Sequence, residues 1–177
     1  MQKTIFTYGL LAGMTIAISM VLGGLAASGD GFMVPEWVGY LLMLVAMSFI
    51  FVGVKRYRDS EMGGAITFGP AFKLGLGIAL IASLIYVVSW EIYLSQTGYS
   101  FANDYIEASL AGLEAKGADA AEIAARRAEL EASMESYSNP LFRLPITFSE
   151  IFPVGLVVSL VTALILKNRK TLPVQAD

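Results

Sequence analysis

Four stretches of mainly apolar, uncharged residues alternate with short charged segments along the chain. The uncharged runs cover residues 5–27, 37–54, 74–90 and 151–166. A helix of about 20 residues rises about 1.5 Å per residue and so crosses a hydrocarbon core of about 30 Å. Once flanking residues are included, the pattern predicts four transmembrane helices, at about residues 5–27, 37–54, 74–93 and 148–166. We therefore expect a single membrane domain over residues 1–177.

Two alternatives to this interpretation concern the length of the runs. The two shorter runs could be buried helices or re-entrant segments. The first run could be a cleaved signal peptide, with Lys3 before it and a small-residue site at Ala26, Ala27 and Ser28. The apolar part of a signal peptide usually has about 7–15 residues, and the run here is longer. The pattern therefore favours a retained transmembrane helix.

The basic residues predict the orientation of the four helices. Eight of the twelve lysines and arginines fall in three segments, as Lys3, then Lys55, Arg56, Arg58 and Lys73, then Lys167, Arg169 and Lys170. Residues 28–36 contain Asp30 and Glu36 and no basic residue. Because basic segments are retained in the cytoplasm, the distribution predicts that both termini are cytoplasmic. In a bacterium, this places the protein in the inner membrane.

A polar stretch between the third and fourth runs is predicted to lie outside the cytoplasm. Residues 91–150 carry ten acidic and four basic side chains, and the middle is rich in alanine and glutamate. Asp119 and Glu122 have the spacing of a helix cap, Gly117 can end a preceding helix, and Asn139-Pro140 can end the following one. The pattern predicts a helical hairpin at about residues 100–138. Its few bulky apolar residues suggest that it lies on the membrane, on the other helices or on a partner.

Small residues spaced four apart predict where the transmembrane helices pack. Lipid removes the hydrophobic driving force between helices, so small side chains matter because they allow close backbone approach. Three of the four runs have such a stripe: Gly9, Gly13 and Ala17; Gly75, Ala79 and Ser83; Gly155, Ser159 and Ala163. We expect an all-α four-helix bundle, although the same stripes could form a homodimer interface.

The composition excludes several classes of site. The chain is 56% apolar and 15% charged, whereas soluble domains have about 45–50% and about 25%. It contains no cysteine and no histidine, which excludes thiol chemistry, histidine acid–base catalysis and most zinc or haem sites. The net charge of -3 and the lack of a phosphate-loop spacing give no support for nucleic-acid or nucleotide binding. We expect no cofactor and no catalytic or metal-binding residue.

Three carboxylates are the first candidate site. Glu36, Glu91 and Glu150 each lie beside an apolar run, at the predicted outer boundary. If they converge, the group could take up protons or bind a hard cation. Glu91 is the strongest candidate, because Tyr86, Ser89, Trp90 and Tyr93 surround it within about one helical turn. The alternative is that the three carboxylates only mark where helices leave the membrane.

A basic segment is the second candidate site. Lys55, Arg56, Arg58 and Lys73 could contact anionic lipid headgroups, which attract each basic residue by about 1 kcal/mol near the surface. The alternative is that the segment is a topology signal joined to a capped turn. Asp59 could pair with Arg58, but we expect an exposed pair that contributes little.

The chain resembles a bacterial membrane family, domain of unknown function 4199. The resemblance depends mainly on the segments Gly53-Val54-Lys55-Arg56-Tyr57-Arg58-Asp59, Gly63-Gly64, Ile66-Thr67-Phe68-Gly69 and Pro153-Val154-Gly155-Leu156. It covers about residues 3–167 and implies a small four-span inner-membrane protein with no assigned activity. Glu36, Arg58, Asp59 and Glu91 fall on the family-like pattern.

The leading functional prediction is a non-enzymatic binding or assembly component of the cell envelope. Its partners would be the lipid bilayer and either a second copy or another membrane or periplasmic protein. The alternative is a small oligomeric transporter coupled to protons or cations, with the three carboxylates in its path. A membrane enzyme acting on lipid-linked substrates is a third possibility, which no nucleophile motif supports.

Overall fold

The computed structural model of the chain describes residues 1–27, 36–98, 100–169 and 171–172. This part of the chain contains six helices and no strand: α1 Gln2–Ala27, α2 Glu36–Glu61, α3 Phe68–Gln96, α4 Phe101–Glu114, α5 Ala120–Ser138 and α6 Pro140–Leu166. The prediction of an all-α chain is therefore confirmed over these residues. Ser28 of the proposed cleavage site, Asp30 and Lys170 lie outside them, as does the side chain of Glu36.

Helix α6 begins eight residues before the predicted start at residue 148. Pro140 is its first residue, a position where the missing N–H of proline removes no helical hydrogen bond. The side chain of Asn139 accepts a hydrogen bond from the amide of Leu141, at 3.0 Å. The pair Asn139-Pro140 ends α5 as predicted, and it also begins α6.

Four of the helices are long and apolar enough to cross a membrane. They are α1, α2, α3 and α6, over Gln2–Gly23, Trp37–Glu61, Phe68–Gln96 and Pro140–Leu166. Large apolar side chains are exposed along all four, and extensive exposed apolar surface is unfavourable in water. These features are those of a multi-pass membrane protein.

The chain divides into two compact units. The larger consists of residues 1–89 and 148–177, and the smaller consists of Trp90–Thr147. Helices α3 and α6 each contribute residues to both units. The prediction of one membrane domain over residues 1–177 stays a prediction.

Small residues form the contact between α3 and α6 in the larger unit. A methyl group built on Gly155 would lie 2.7 Å from Cβ of Ala79, and one built on Gly75 would lie 3.0 Å from Cβ of Ser159. Real Cβ atoms essentially never come closer than 3.0 Å, so a larger side chain at Gly155 would force the helices apart. The two predicted stripes thus face each other. Because Gly75 meets Ser159 and Ala79 meets Gly155, the helices run antiparallel.

The stripe on α1 meets a different face of α3. Methyl groups built on Gly9 and Gly13 would each lie 2.7 Å from a Cβ atom, of Ile81 and Ile85 respectively. Both contacting pairs step forward by four residues, so α1 and α3 run parallel. Here a glycine meets a branched side chain, whereas the α3–α6 contact joins small residues on both helices.

Helices α4 and α5 pair in the smaller unit around a small apolar core. Ile106, Leu110 and Leu130 are its buried apolar residues among those described. The side chain of Asp119 caps α5 by accepting a hydrogen bond from the amide of Glu122, at 2.9 Å, which confirms the predicted cap. Gly117, after α4, has a φ angle of 85°, which glycine adopts without strain.

Candidate functional site

Arg58 is fully buried near the C-terminal end of α2, in the larger unit. Its Nε donates a hydrogen bond to Asp59 at 2.7 Å, and Asp59 also accepts one from Lys55 at 2.7 Å. The two remaining guanidinium nitrogens donate to backbone carbonyls beyond α6, those of Thr171 at 2.9 Å and Leu172 at 2.5 Å. We refer to these five residues as the Arg58 cluster. Arg58 therefore binds the C-terminal segment to α2.

The burial of Arg58 corrects two expectations. The pair that it forms with Asp59 is not exposed, since the Arg58 side chain is 0% accessible and that of Asp59 is 18% accessible. Arg58 also cannot contact a lipid headgroup directly, because its donors are directed at the carboxylate and the two carbonyls. Of the other predicted lipid contacts, Arg56 and Lys73 are exposed and Lys55 is half-buried.

A second buried arginine, Arg143, lies in the smaller unit near the start of α6. Its Nε and one terminal nitrogen each donate to a different oxygen of Glu91, both at 2.7 Å. The other terminal nitrogen donates to the carbonyls of Tyr137 and Ser138, at 3.2 and 3.1 Å, which caps the C-terminal end of α5. We call these residues, together with Trp90, the Arg143 cluster.

Trp90 adds a second link between the end of α3 and the end of α5. Its indole Nε1 donates to the hydroxyl of Tyr137 at 2.7 Å. The Trp90 ring stacks on Tyr93, with the centroids 5.4 Å apart, and meets the edge of Phe101, with the centroids 4.9 Å apart. The Arg143 cluster thereby joins the end of α3 to the end of α5 and the start of α6, and the Trp90 ring contacts the start of α4.

This geometry changes the interpretation of Glu91. Both carboxylate oxygens are bound by Arg143, which is 3% accessible, in the bidentate arrangement that carboxylates and guanidinium groups favour. The neighbours in sequence do not form the surroundings that we expected, because Trp90 binds Tyr137 instead. Glu91 is a structural partner of Arg143 in this arrangement.

Glu150 has a different environment from Glu91. It lies on α6 in the larger unit, it is exposed, and its Oε2 accepts a hydrogen bond from the hydroxyl of Tyr86 at 3.0 Å. The helix continues to Leu166, 16 residues further on, which is about 24 Å along the axis. The third carboxylate of the predicted group, Glu36, has no described side chain. Within the described residues, no group of three or more acidic side chains has the arrangement of a metal site.

A comparison with protein families gives a match that agrees with the segment 53–59 around Arg58 and with the four apolar helices. The family described as "Protein of unknown function (DUF4199)" matches residues 7–168. The chain belongs to the DUF4199 family. No curated protein matches the chain. No solved structure matches it either.

Sequence reasoning missed Arg143, which organises the smaller unit of this DUF4199 chain. A signal was present, because Arg143 is the one charged residue between Glu135 and Glu150, in a largely apolar segment. A lone basic residue among apolar neighbours is costly unless it is paired. The sequence alone does not identify its partner, because Glu91 is 52 residues away.

Proposed function

We propose that this protein is a non-enzymatic assembly component of the bacterial cell envelope. In this proposal, α1, α2, α3 and α6 span the inner membrane as a four-helix bundle with both termini in the cytoplasm. The pair α4–α5 then lies outside the cytoplasm. Its partner is a second copy of the chain or another membrane or periplasmic protein.

The helix directions support this topology. In a chain with four crossings, the first and third spans run in the same direction and the fourth runs opposite to the third. The contacts of Gly9 and Gly13 with α3 are parallel, and those of Gly155 are antiparallel. The basic residues in the last turns of α2, near the start of α3 and after α6, together with Lys3, then lie at one end, on the cytoplasmic side by the positive-inside rule.

The observation that carries the assembly proposal is the exposure of Glu150. Glu150 lies about 24 Å from Leu166 along the axis of α6. A hydrocarbon core that begins at Leu166 and is about 30 Å thick therefore includes Glu150. Carboxylates within a membrane span almost always face other protein groups or a water-filled cavity. Tyr86 contributes a single hydrogen bond. A polar group from another helix would stabilise the rest of the carboxylate, so this face of α6 is the proposed contact.

Photocrosslinking from two matched positions tests this contact. Val157 lies two helical turns after Glu150 and is 57% exposed, whereas Val88 on α3 is 58% exposed. With a photoreactive residue in native membranes, Val157 should give an adduct of one discrete mass, and Val88 should give none. Glu150→Leu should reduce the Val157 adduct. Absence of the adduct, or equal adducts from both positions, would overturn the proposal.

A proton-coupled transporter is the second candidate function, and the hydrogen bond between Tyr86 and Glu150 favours it. A hydrogen-bonded carboxylate in a span can exchange a proton during transport. Glu91 supports this role less well because Arg143 occupies both its oxygens. Proton flux into proteoliposomes should fall in Glu150→Gln if the protein is a transporter. Flux equal to that of protein-free vesicles would remove the candidate.

A further inference from the structure

A cleft in the larger unit lies between the turn that precedes α3 and the segment that follows α6. Its lining includes the two basic residues Lys167 and Arg169 and the side chains of Met62, Thr67 and Phe68. Lys167 and Arg169 are exposed. The ion pairs of the described residues involve other basic side chains. The cleft, which we call the tail cleft, therefore presents two positive charges without an acidic partner among those residues.

The Arg58 cluster holds the basic wall of the tail cleft in place. Arg58 donates to the carbonyls of Thr171 and Leu172, and the amide of Thr171 donates to Asn168 at 3.1 Å. The segment that contains Lys167 and Arg169 is thus attached on both sides, by α6 and by Arg58. A site that is formed before its ligand arrives loses less conformational entropy on binding.

The tail cleft combines charge with apolar surface at the ends of two candidate spans. Lys167 directly follows Leu166, the last residue of α6, and Phe68 is the first residue of α3. Met62 is 42% exposed, and Phe68 stacks on Phe72 with the ring centroids 5.6 Å apart. In a membrane, such span ends meet the headgroups, and basic pockets there bind anionic ones.

From this arrangement, we propose that the tail cleft binds the phosphodiester headgroup of an anionic phospholipid. Lys167 and Arg169 bind the phosphate oxygens, the hydroxyl of Thr67 is within the same cleft to donate a hydrogen bond, and Met62 and Phe68 contact the glycerol region. The residues differ from the predicted lipid contacts Lys55, Arg56, Arg58 and Lys73. The proposal depends on the membrane placement in the proposed function and not on the assembly contact at Glu150.

Native mass spectrometry of the purified chain with dioleoylphosphatidylglycerol tests the site, with dioleoylphosphatidylcholine as the neutral lipid. The double substitution Lys167→Gln/Arg169→Gln removes the charges of the cleft. The control Arg56→Gln/Lys73→Gln removes the same number of charges from exposed positions outside it. Because the cleft variant loses its charge-assisted hydrogen bonds to the phosphate, we expect its phosphatidylglycerol affinity to fall by at least about 30-fold. The control should lose less than about fivefold.

Three results would overturn the proposal. Equal losses in both variants would mean a diffuse attraction to the basic surface, and no loss in either would mean that the lipid binds elsewhere. Displacement of phosphatidylglycerol by inorganic phosphate at a similar concentration would mean a site for free phosphate. Thermal unfolding of both variants establishes that they are folded. The Val157 adduct should be unchanged in the cleft variant. A failure of the lipid proposal can therefore be distinguished from a failure of the assembly contact.

Discussion

The larger and the smaller unit each contain one buried arginine, and the two use the same chemistry in opposite ways. Arg58 binds a carboxylate next to it in sequence, and its carbonyl acceptors are 113 and 114 residues away. Arg143 binds a carboxylate 52 residues away, and its carbonyl acceptors are 5 and 6 residues away. In both, a carboxylate neutralises the guanidinium, which then holds two backbone carbonyls.

For each arginine, the partner that is distant in sequence decides what the side chain does. For Arg58 the distant groups are the carbonyls of Thr171 and Leu172, so it fixes the segment after α6. For Arg143 the distant group is Glu91, so it joins the end of α3 to the start of α6. In both clusters a carboxylate pairs with the buried guanidinium. Such pairing is needed to offset the cost of removing a charged arginine from water. We therefore assign both clusters to structure and place binding at the exposed faces.

The largest effect should come from Arg143→Ala. This substitution removes two hydrogen bonds to Glu91 and the cap of α5, and it leaves the carboxylate without its partner. The free energy of unfolding of the smaller unit should fall by about 3 kcal/mol. In a Trp37→Phe background, Trp90 is the remaining tryptophan, so its fluorescence reports the transition. A decrease below about 1 kcal/mol would show that the cluster is not a stabilising link.

The next effect concerns the segment after α6. Arg58→Ala removes the donors to Thr171 and Leu172, so this segment should open by about 2 kcal/mol more easily. Trypsin should then cleave after Lys167 and Arg169 at least about tenfold faster, measured by mass spectrometry. Arg56→Ala, at an exposed neighbouring position, is the control. Equal cleavage rates in the two variants would argue against the proposed attachment.

A smaller effect is expected for the link between Trp90 and Tyr137. Tyr137→Phe removes the hydroxyl that accepts the indole hydrogen bond and keeps the ring. The smaller unit should lose about 1 kcal/mol of stability. Tyr93→Phe, which keeps the ring stacked on Trp90, is the matched control. The prediction fails if the two substitutions have the same effect on the Trp90 unfolding transition.

The smallest effect should come from an exposed ion pair in the smaller unit. Arg127 binds Glu107 at 3.0 Å, with side chains that are 43% and 67% accessible. Exposed pairs usually contribute less than about 1 kcal/mol, so Arg127→Gln should change stability by at most about 0.5 kcal/mol. A loss of stability as large as that of Arg143→Ala would mean that burial does not explain why the Arg143 pair stabilises the unit more than the Arg127 pair.

Features that depend on neighbouring residues could be predicted from the sequence. Asp119 and Glu122 are three residues apart, and their cap is present. The apolar runs indicate α1, α2, α3 and α6, but the start of α6 at Pro140, before the apolar run, depends on the cap at Asn139.

Features that depend on distant residues could not be predicted. The small residues of α3 and α6 indicate close packing, but their period does not say which helix meets which. Arg58 lies in the segment 53–59 that carries the family resemblance, yet the burial of Arg58 depends on a segment more than a hundred residues later. Arg143 and Glu91 are brought together only by the fold of the smaller unit. Charge pairing over such separations has no local pattern in the sequence.

Glu91 and Arg143 form a fixed structural pair in this interpretation, so each side chain should depend on the other for its contribution to stability. A double-mutant cycle with Glu91→Gln, Arg143→Gln and the double variant measures that dependence, with Trp90 fluorescence as the measure of unfolding. We predict a coupling free energy of about 2 kcal/mol, with the double variant less destabilised than the sum of the two single ones. Effects that add to within about 0.5 kcal/mol would contradict the claim.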